Sequence, residues 1–154
     1  MATIHASAVL VGARAILVRG PSGSGKSRLV LDLLDRFGGA LPPFARLIAD
    51  DRVELDAAHG RLLVHSPAPL AGLLEVRGLG IRKLAHEPLA VAGLVVDLDA
   101  SDADRMPEPD ALSTVLAGVT LPRHPVAAGA TVVPAILARC QWLAGFPLPV
   151  AASH

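Results

Sequence analysis

Short apolar runs separated by turn residues divide this chain, and most of them are of strand length. The first two, residues 4–11 and 15–18, flank residues 12–14 and predict two strands joined by a tight turn. A helix-like run, residues 29–34, follows a glycine-rich segment and should end at the glycine pair 38–39. The beginning of the chain therefore predicts the order strand, strand, helix.

The rest of the chain continues in short apolar segments rather than in long helical ones. Strand-like or apolar segments cover residues 46–49, 53–55, 61–64, 74–81, 89–98 and 119–121, the second and third of these forming a hairpin. A closing helix is predicted over 131–143, a surface loop over 101–110, and a loose tail over about 145–154. Hairpins combined with a strand–loop–helix unit predict one α/β domain, residues 1–154, with a mixed β-sheet.

The glycine-rich segment is a complete phosphate-binding loop (Walker A) motif, G-x-x-x-x-G-K-[ST], placed between a predicted strand and a predicted helix. Its backbone amides can approach phosphate oxygens closely, its lysine can reach the β- and γ-phosphates, and its last hydroxyl can ligate Mg²⁺. The motif therefore predicts binding of a nucleoside triphosphate with magnesium. Its eight residues are Gly20, Pro21, Ser22, Gly23, Ser24, Gly25, Lys26 and Ser27.

Composition and charge limit the classes of protein that fit. Hydrophobic residues make up 52% of the 154 residues and charged residues 18%, which is a globular composition. The formal net charge of zero gives no support for a nucleic-acid or anionic-membrane partner. No apolar run reaches the roughly 18 residues of a transmembrane helix, and no basic leader precedes the apolar N-terminus. Neither a membrane span nor a signal peptide is expected.

The single cysteine, Cys140, cannot form an internal disulfide, which favours a reducing cytoplasm. Its helix-like surroundings favour packing in the core over reactivity. The histidines show no metal-ligand spacing, so a structural zinc site is not expected. Low charge together with high apolar content favours a buried subunit interface, and hence a homo-oligomer.

Three acidic residues and one histidine are candidates for chemistry. Asp50 and Asp51 end an apolar strand, where nucleotide-binding folds place a second acidic site, although ordinary turn carboxylates are the alternative. Glu75 lies in an otherwise apolar segment, where it would bind metal or pair with Arg77 on one strand face. His5 lies among apolar residues and, taken singly, fits a structural role better than a catalytic one.

Together these segments resemble the catalytic domain of the HPr kinase/phosphorylase family. The resemblance covers residues 2 to about 140, and its most specific part is the segment Leu-Glu-Val-Arg-Gly-Leu-Gly-Ile at 74–81. The segments 4–6, 20–27 and 47–53 match in order and approximate spacing. The resemblance implies a core like that of phosphoenolpyruvate carboxykinase, often assembled as a hexamer. It also implies a serine kinase that uses ATP and Mg²⁺ on the phosphocarrier protein HPr and so regulates the phosphotransferase system.

Carried over by position, the resemblance assigns catalytic roles to four residues. Asp51 would be the base that accepts the serine proton, and His5 would act beside it in the active site. Lys26 would contact the phosphates. Arg105 matches a family arginine and would offset negative charge on the transferring phosphoryl group.

The resemblance also assigns a metal site and a docking loop. Ser27 and Glu75 would hold Mg²⁺, and Asp50 would support the metal or orient the neighbouring carboxylate. Arg77 and residues 78–80 would shape the loop where HPr docks.

The chain departs from the family pattern at three places. The family's long N-terminal regulatory domain has no counterpart in the resemblance, so a short form like those of alphaproteobacteria is expected. Residues 38–44 lengthen the stretch before the aspartate pair. Residues 125–130 lack the arginine that the family ties to dephosphorylation, so kinase activity is expected and phosphorylase activity stays open. Two other readings remain open: a nucleotide-responsive regulatory module without phosphotransfer, and a small-molecule kinase. No arginine-rich lid segment supports the latter.

Overall fold

The computed structural model describes residues 2–145, so the tail predicted at about 145–154 lies, apart from Gly145, outside the described residues. Within that range the chain forms eleven strands and two α-helices. The strands are β1 (Ala2–Ile4), β2 (Ser7–Val11), β3 (Arg14–Arg19), β4 (Ala45–Ala49), β5 (Val53–Ala58), β6 (Arg61–His65), β7 (Leu73–Val76), β8 (Gly80–Lys83), β9 (Ala90–Asp97), β10 (Ser113–Leu116) and β11 (Val119–Pro125). The helices are α1 (Lys26–Arg36) and α2 (Val133–Arg139).

Nine of the described strands join one mixed sheet, as the sequence predicts. Their order is β1-β5-β6-β9-β3-β2-β4, with β11 added to β9 and β10 added to β11. The pairs β3–β9 and β9–β11 are parallel, whereas the other pairs in this sheet are antiparallel. β7 and β8 form a separate antiparallel hairpin.

The two parallel pairings determine where the loops of the molecule meet. β3, β9 and β11 run in the same direction, so their carboxyl ends lie at one edge of the sheet. The segments that follow them are residues 20–25, 98–108 and 126–132. In α/β sheets this edge is where ligands bind. The phosphate-loop motif therefore lies at the edge where a ligand is expected.

Both faces of the central strands are apolar, which matches their nearly continuous burial. Alternate residues of β2 and β3 point to opposite faces, and each face has its own buried cluster. One cluster packs against α1 and α2 and includes Val9, Val11, Ile16, Val18, Leu29, Leu33, Leu94 and Ile136. The other includes Ala8, Leu17, Ile48, Leu55, Leu62, Val64 and Val95. No helix among residues 2–145 is long and apolar enough to cross a membrane.

The structure corrects two predicted elements and adds a strand that the sequence did not predict. The first apolar run is not one strand, because β1 ends at Ile4 and pairs with β5 before β2 begins at Ser7. The closing helix is shorter than residues 131–143: Cys140, at φ −81° and ψ 82°, ends α2, and a 3-10 turn (Gln141–Leu143) follows. β10 was not predicted, since its residues alternate between exposed and half-buried positions and give no apolar run.

The buried cysteine behaves as the sequence predicts. Cys140 is 3% exposed in the core, and its thiol lies 3.3 Å from the carbonyl oxygen of Ile136. Burial raises the pKa of the Cys140 thiol to about 12, which keeps it protonated near neutral pH. It is therefore a packing residue and not a nucleophile.

A charge network ties the carboxyl ends of the parallel strands together. Asp97, at the end of β9, accepts hydrogen bonds from Arg19 at 2.7 and 2.8 Å and from Arg123 at 2.5 Å. Arg123 also binds both carboxylate oxygens of Asp102, at 2.7 and 3.0 Å. Burial alone would raise the pKa of Asp97, but the hydrogen bonds from the two arginines outweigh it and hold that pKa below its ordinary value.

We expect Asp97→Asn to lower the free energy of unfolding by about 3 kcal/mol at pH 7, because it leaves two guanidinium groups without their shared carboxylate. Since the pKa of Asp97 is depressed in the folded state, its stabilisation is present above the unfolded pKa and is lost as pH falls through the folded one. The difference between wild type and variant should therefore shrink below about pH 4. Urea unfolding at pH 7 and pH 3 measures both values.

Asp102→Asn is the matched control, because the Asp102 side chain is 49% exposed while that of Asp97 is 14% exposed. Its effect at pH 7 should be clearly smaller than that of Asp97→Asn, because exposed ion pairs contribute little to stability. Equal effects of the two substitutions would show that Asp97 does not hold the network together.

Candidate active site

The glycine-rich loop adopts a backbone that only small residues tolerate. Gly25 immediately precedes α1 at φ 100°, ψ 24°, a left-handed conformation that disfavours residues with a Cβ. At position 20, an added Cβ would lie 2.5 Å from the Oγ of Ser24. The motif glycines are therefore required by the geometry of the loop, between the end of β3 and the start of α1.

The motif lysine lies under this loop. Lys26 is 7% exposed, and its ammonium donates to the carbonyl oxygens of Gly20 at 2.9 Å and Pro21 at 3.2 Å. These bonds place a positive charge within the loop itself. The Oγ of Ser24 is buried and has no hydrogen-bond partner within the described structure. A cationic, donor-rich loop of this kind fits the oxygens of a phosphate group.

Asp50 is the carboxylate that accepts the most hydrogen bonds in the site. It is 9% exposed at the end of β4 and accepts three hydrogen bonds from three other elements. Its Oδ1 accepts from the hydroxyl of Ser7 at 2.8 Å and from that of Ser27 at 2.7 Å. Its Oδ2 accepts from the backbone amide of Glu75 at 3.1 Å. The structure thus brings three predicted metal-site residues, Ser27, Asp50 and Glu75, to one place.

Asp51 points the other way, as expected of neighbouring residues at a strand end. It has a left-handed backbone, φ 65°, and a side chain that is 67% exposed. Its Oδ1 lies 2.5 Å from the Nε2 of His5, whose side chain is 51% exposed. The structure therefore brings together the predicted base and the predicted histidine. His5 occupies the break between β1 and β2, which releases it from the sheet.

Ser7 is a member of the site that sequence reasoning missed. It is fully buried, donates to Asp50, and accepts a hydrogen bond from the backbone amide of Asp51 at 3.1 Å. One hydroxyl thus fixes both aspartates relative to each other. The available signal was a polar residue inside an otherwise apolar run, because a buried hydroxyl in such a position needs partners.

The two arginines with predicted roles lie in different loops. Arg77, at the tip of the β7–β8 hairpin, has a guanidinium nitrogen 4.0 Å from where a Cβ on Gly23 would lie, so it adjoins the phosphate loop. It does not form an ion pair with Glu75, the structural alternative for that acid. Arg105 is exposed in the 98–108 loop, where its backbone amide donates to Asp104 at 2.6 Å. Its predicted role at the transferring phosphoryl group stays a prediction.

The donor set at Ser27 fits magnesium held together with a nucleotide. No cluster of three or more histidine, cysteine, aspartate or glutamate side chains that could hold a metal occurs among residues 2–145. Magnesium bound with a substrate phosphate, however, takes only one or two protein oxygens and completes its shell with phosphate and water. The Ser27 hydroxyl donates to Asp50, which leaves its oxygen lone pairs free for a cation.

Fold and site together define a mixed α/β domain in which a glycine-rich loop meets a buried aspartate and an exposed aspartate–histidine pair. The family model described as "HPr Serine kinase C-terminal domain" matches residues 1–86. The chain belongs to this family, as its resemblance predicted.

Curated relatives match about half of the chain. The HPr kinase/phosphorylase of Clostridium tetani is 42% identical over 78 residues, which are 51% of this chain and 23% of that protein. The Bordetella pertussis protein of the same name is 44% identical over 80 residues, or 51% and 24% of the two chains. The match thus covers less than a quarter of the length of each relative.

A solved structure extends the likeness to most of the fold. The HPr(Ser) kinase/phosphatase from Coxiella burnetii superposes with a TM-score of 0.69 and covers 90% of this chain and 92% of that one, at 22% identity. At this identity the likeness concerns the fold. The two proteins therefore share the mixed α/β fold.

We expect Asp50→Ala to lower the free energy of unfolding by about 3 kcal/mol, because the Ser7 and Ser27 hydroxyls and the Glu75 amide would lose their acceptor. The Glu75 amide should also exchange with deuterium faster. Urea unfolding and hydrogen exchange followed by NMR measure the two effects.

Asp51→Asn is the control, since asparagine tolerates the left-handed backbone and the side chain it replaces is exposed. It should change the free energy of unfolding by no more than about 0.5 kcal/mol. An Asp50→Ala protein as stable as wild type, with unchanged Glu75 exchange, would contradict the linking role of this carboxylate.

Proposed function

We propose that this chain is an ATP- and Mg²⁺-dependent protein serine kinase that phosphorylates HPr. The observation that carries the proposal is the pair of adjacent aspartates beside the phosphate loop, one buried against Ser27 and one exposed against His5. Phosphoryl transfer needs a phosphate cradle, a metal site and a proton acceptor. Residues at this site can supply all three.

The nucleotide phosphates would lie on residues 20–27, with Lys26 contacting the β- and γ-phosphates. Ser27 and Glu75 would bind Mg²⁺, and Asp50 would hold the Ser27 hydroxyl in place. The cation would offset the charge of the phosphates. Arg77 adjoins the loop and is the better-placed arginine for charge on the transferring group, while Arg105 keeps that role only as a prediction from the family resemblance.

The exposed aspartate is suited to receive a proton from a protein substrate. As the serine oxygen forms its bond to the γ-phosphorus, the bond to the bridging oxygen breaks, ADP leaves, and the serine proton passes to Asp51. His5, 2.5 Å away, would orient the Asp51 carboxylate and share the proton. Because both side chains are more than half exposed, an acceptor on the surface of another protein can reach them.

Phosphorylase activity, which the names of the relatives also include, is not part of this proposal, because residues 125–130 lack the arginine of the family pattern. Cytoplasmic location, assembly into a homo-oligomer such as a hexamer, and regulation of the phosphotransferase system remain predictions from the sequence. Binding to nucleic acid or to a membrane is not proposed.

We expect Asp51→Asn to retain Mg-ATP affinity but to phosphorylate HPr about 10²–10⁴-fold more slowly, because it removes the proton acceptor. Intact-mass analysis of HPr after incubation with Mg-ATP would show one added phosphate on serine with wild type and almost none with the variant. Normal phosphorylation by the variant would refute Asp51 as the base.

Phosphate binding is tested separately with Lys26→Ala, which should weaken Mg-ATP binding at least about 10-fold because it removes the charge inside the loop. Isothermal titration calorimetry measures this, with Lys83→Ala, an exposed lysine of β8, as the matched control. Unchanged affinity in Lys26→Ala would contradict the assignment of the loop.

The two alternative functions give different results in the same assays. Tight ATP binding without phosphorylated HPr would favour the regulatory module. ATP turnover with a metabolite in place of HPr would favour the small-molecule kinase.

A further inference from the structure

A second feature of the loop edge is a cavity of about 480 Å³ beside the phosphate loop. Its walls come from the first turns of α1, from the residues after β9, and from the residues after β11. They include Gly25, Leu29, Leu98, Asp99, Val126 and Val133. The cavity is within the usual size of small-molecule sites, about 300–1,000 Å³.

The floor of this cavity is apolar. Leu29, Leu98, Val126 and Val133 are all less than a tenth exposed, and they form part of the core cluster that packs on α1 and α2. A triphosphate gains nothing from such a surface, since it is bound by charge and hydrogen bonds. A flat, largely apolar group such as a nucleobase would be desolvated there favourably.

The rim of the cavity carries a carboxylate in an unusual position. Asp99 has a left-handed backbone, φ 53°, which is uncommon for a residue with a side chain and concentrates at functional sites. Backbone hydrogen bonds hold the segment on both sides of it. The Leu98 amide donates to the carbonyl of Arg19 at 2.8 Å, and the Ala100 amide donates to that of Val126 at 2.9 Å. Asp99 is thus exposed but held in place.

We propose that this cavity takes the nucleoside part of the nucleotide, with the base against the apolar floor and the Asp99 carboxylate accepting hydrogen bonds from the ribose hydroxyls. The inference rests on the proposed function, because the triphosphate must lie on residues 20–27 for the nucleoside to enter the cavity. A carboxylate accepting from ribose hydroxyls after a parallel strand is a known solution in α/β nucleotide sites. Asp99 is then a residue that determines specificity, and Asp51 remains the proton acceptor.

The test compares three ligands, Mg-ATP, magnesium tripolyphosphate and Mg-2′,3′-dideoxy-ATP, by titration calorimetry. Wild type should bind ATP at least about 10-fold more tightly than tripolyphosphate. The substitution Asp99→Gly is compatible with the left-handed backbone. It should lower the affinity for ATP about 10-fold, which is the usual contribution of hydrogen bonds to a charged group, and leave the affinity for tripolyphosphate unchanged. Dideoxy-ATP should bind wild type and Asp99→Gly equally, because it lacks the hydroxyls that Asp99 would contact.

His59→Gly is the matched control, because His59 has the same φ of 53°, on the β5–β6 hairpin, and does not line the cavity. It should change the affinity of none of the three ligands. An unchanged ATP affinity in Asp99→Gly, with tripolyphosphate binding still lost in Lys26→Ala, would overturn this inference and leave the proposed function standing. Failure of wild type to bind either ATP or tripolyphosphate would overturn both.

Discussion

The carboxylate of Asp50 is the interaction on which the arrangement of this site depends. It lies at the end of β4 and receives hydrogen bonds from β2, from the second residue of α1, and from the β7–β8 hairpin. These elements are distant in sequence, and the hairpin is not part of the main sheet. A buried carboxylate is tolerated only when hydrogen bonds or opposite charges satisfy it, so the three donors must converge. Convergence fixes the hairpin beside the phosphate loop.

The division of roles between the two adjacent aspartates follows from backbone geometry. Successive residues of an extended strand point to opposite faces, so one carboxylate enters the protein and the next faces away from it. At Asp51 the backbone also turns into the left-handed region, and the Ser7 hydroxyl holds this turn through the Asp51 amide. One aspartate is therefore placed to organise the buried side of the site, while its neighbour remains available to a large substrate.

The sequence predicted the elements that local patterns determine and missed those that depend on tertiary contacts. The strand and the helix that flank the glycine-rich segment, and the β5–β6 hairpin, follow from short-range signals and are confirmed. Ser7 was missed because its function comes from partners some forty residues away. β10 has no apolar run of its own, and the end of α2 at Cys140 is a backbone change inside a favourable apolar pattern. The match to the family confirms the resemblance, while the residue roles that it implies remain predictions.

The balance of charge at the site explains why the proposed reaction needs a divalent cation. Lys26 belongs to the phosphate loop and Arg77 adjoins it, but the carboxylates of Asp50 and Asp51 lie beside the same loop. Carboxylates so close to the loop would disfavour a bare triphosphate, since repulsion between charges a few ångströms apart is large where water is partly excluded. A magnesium ion bound with the nucleotide would offset this negative charge. In the proposed reaction the same acids would then disfavour the free nucleotide and favour its magnesium complex, which would couple metal binding to substrate binding.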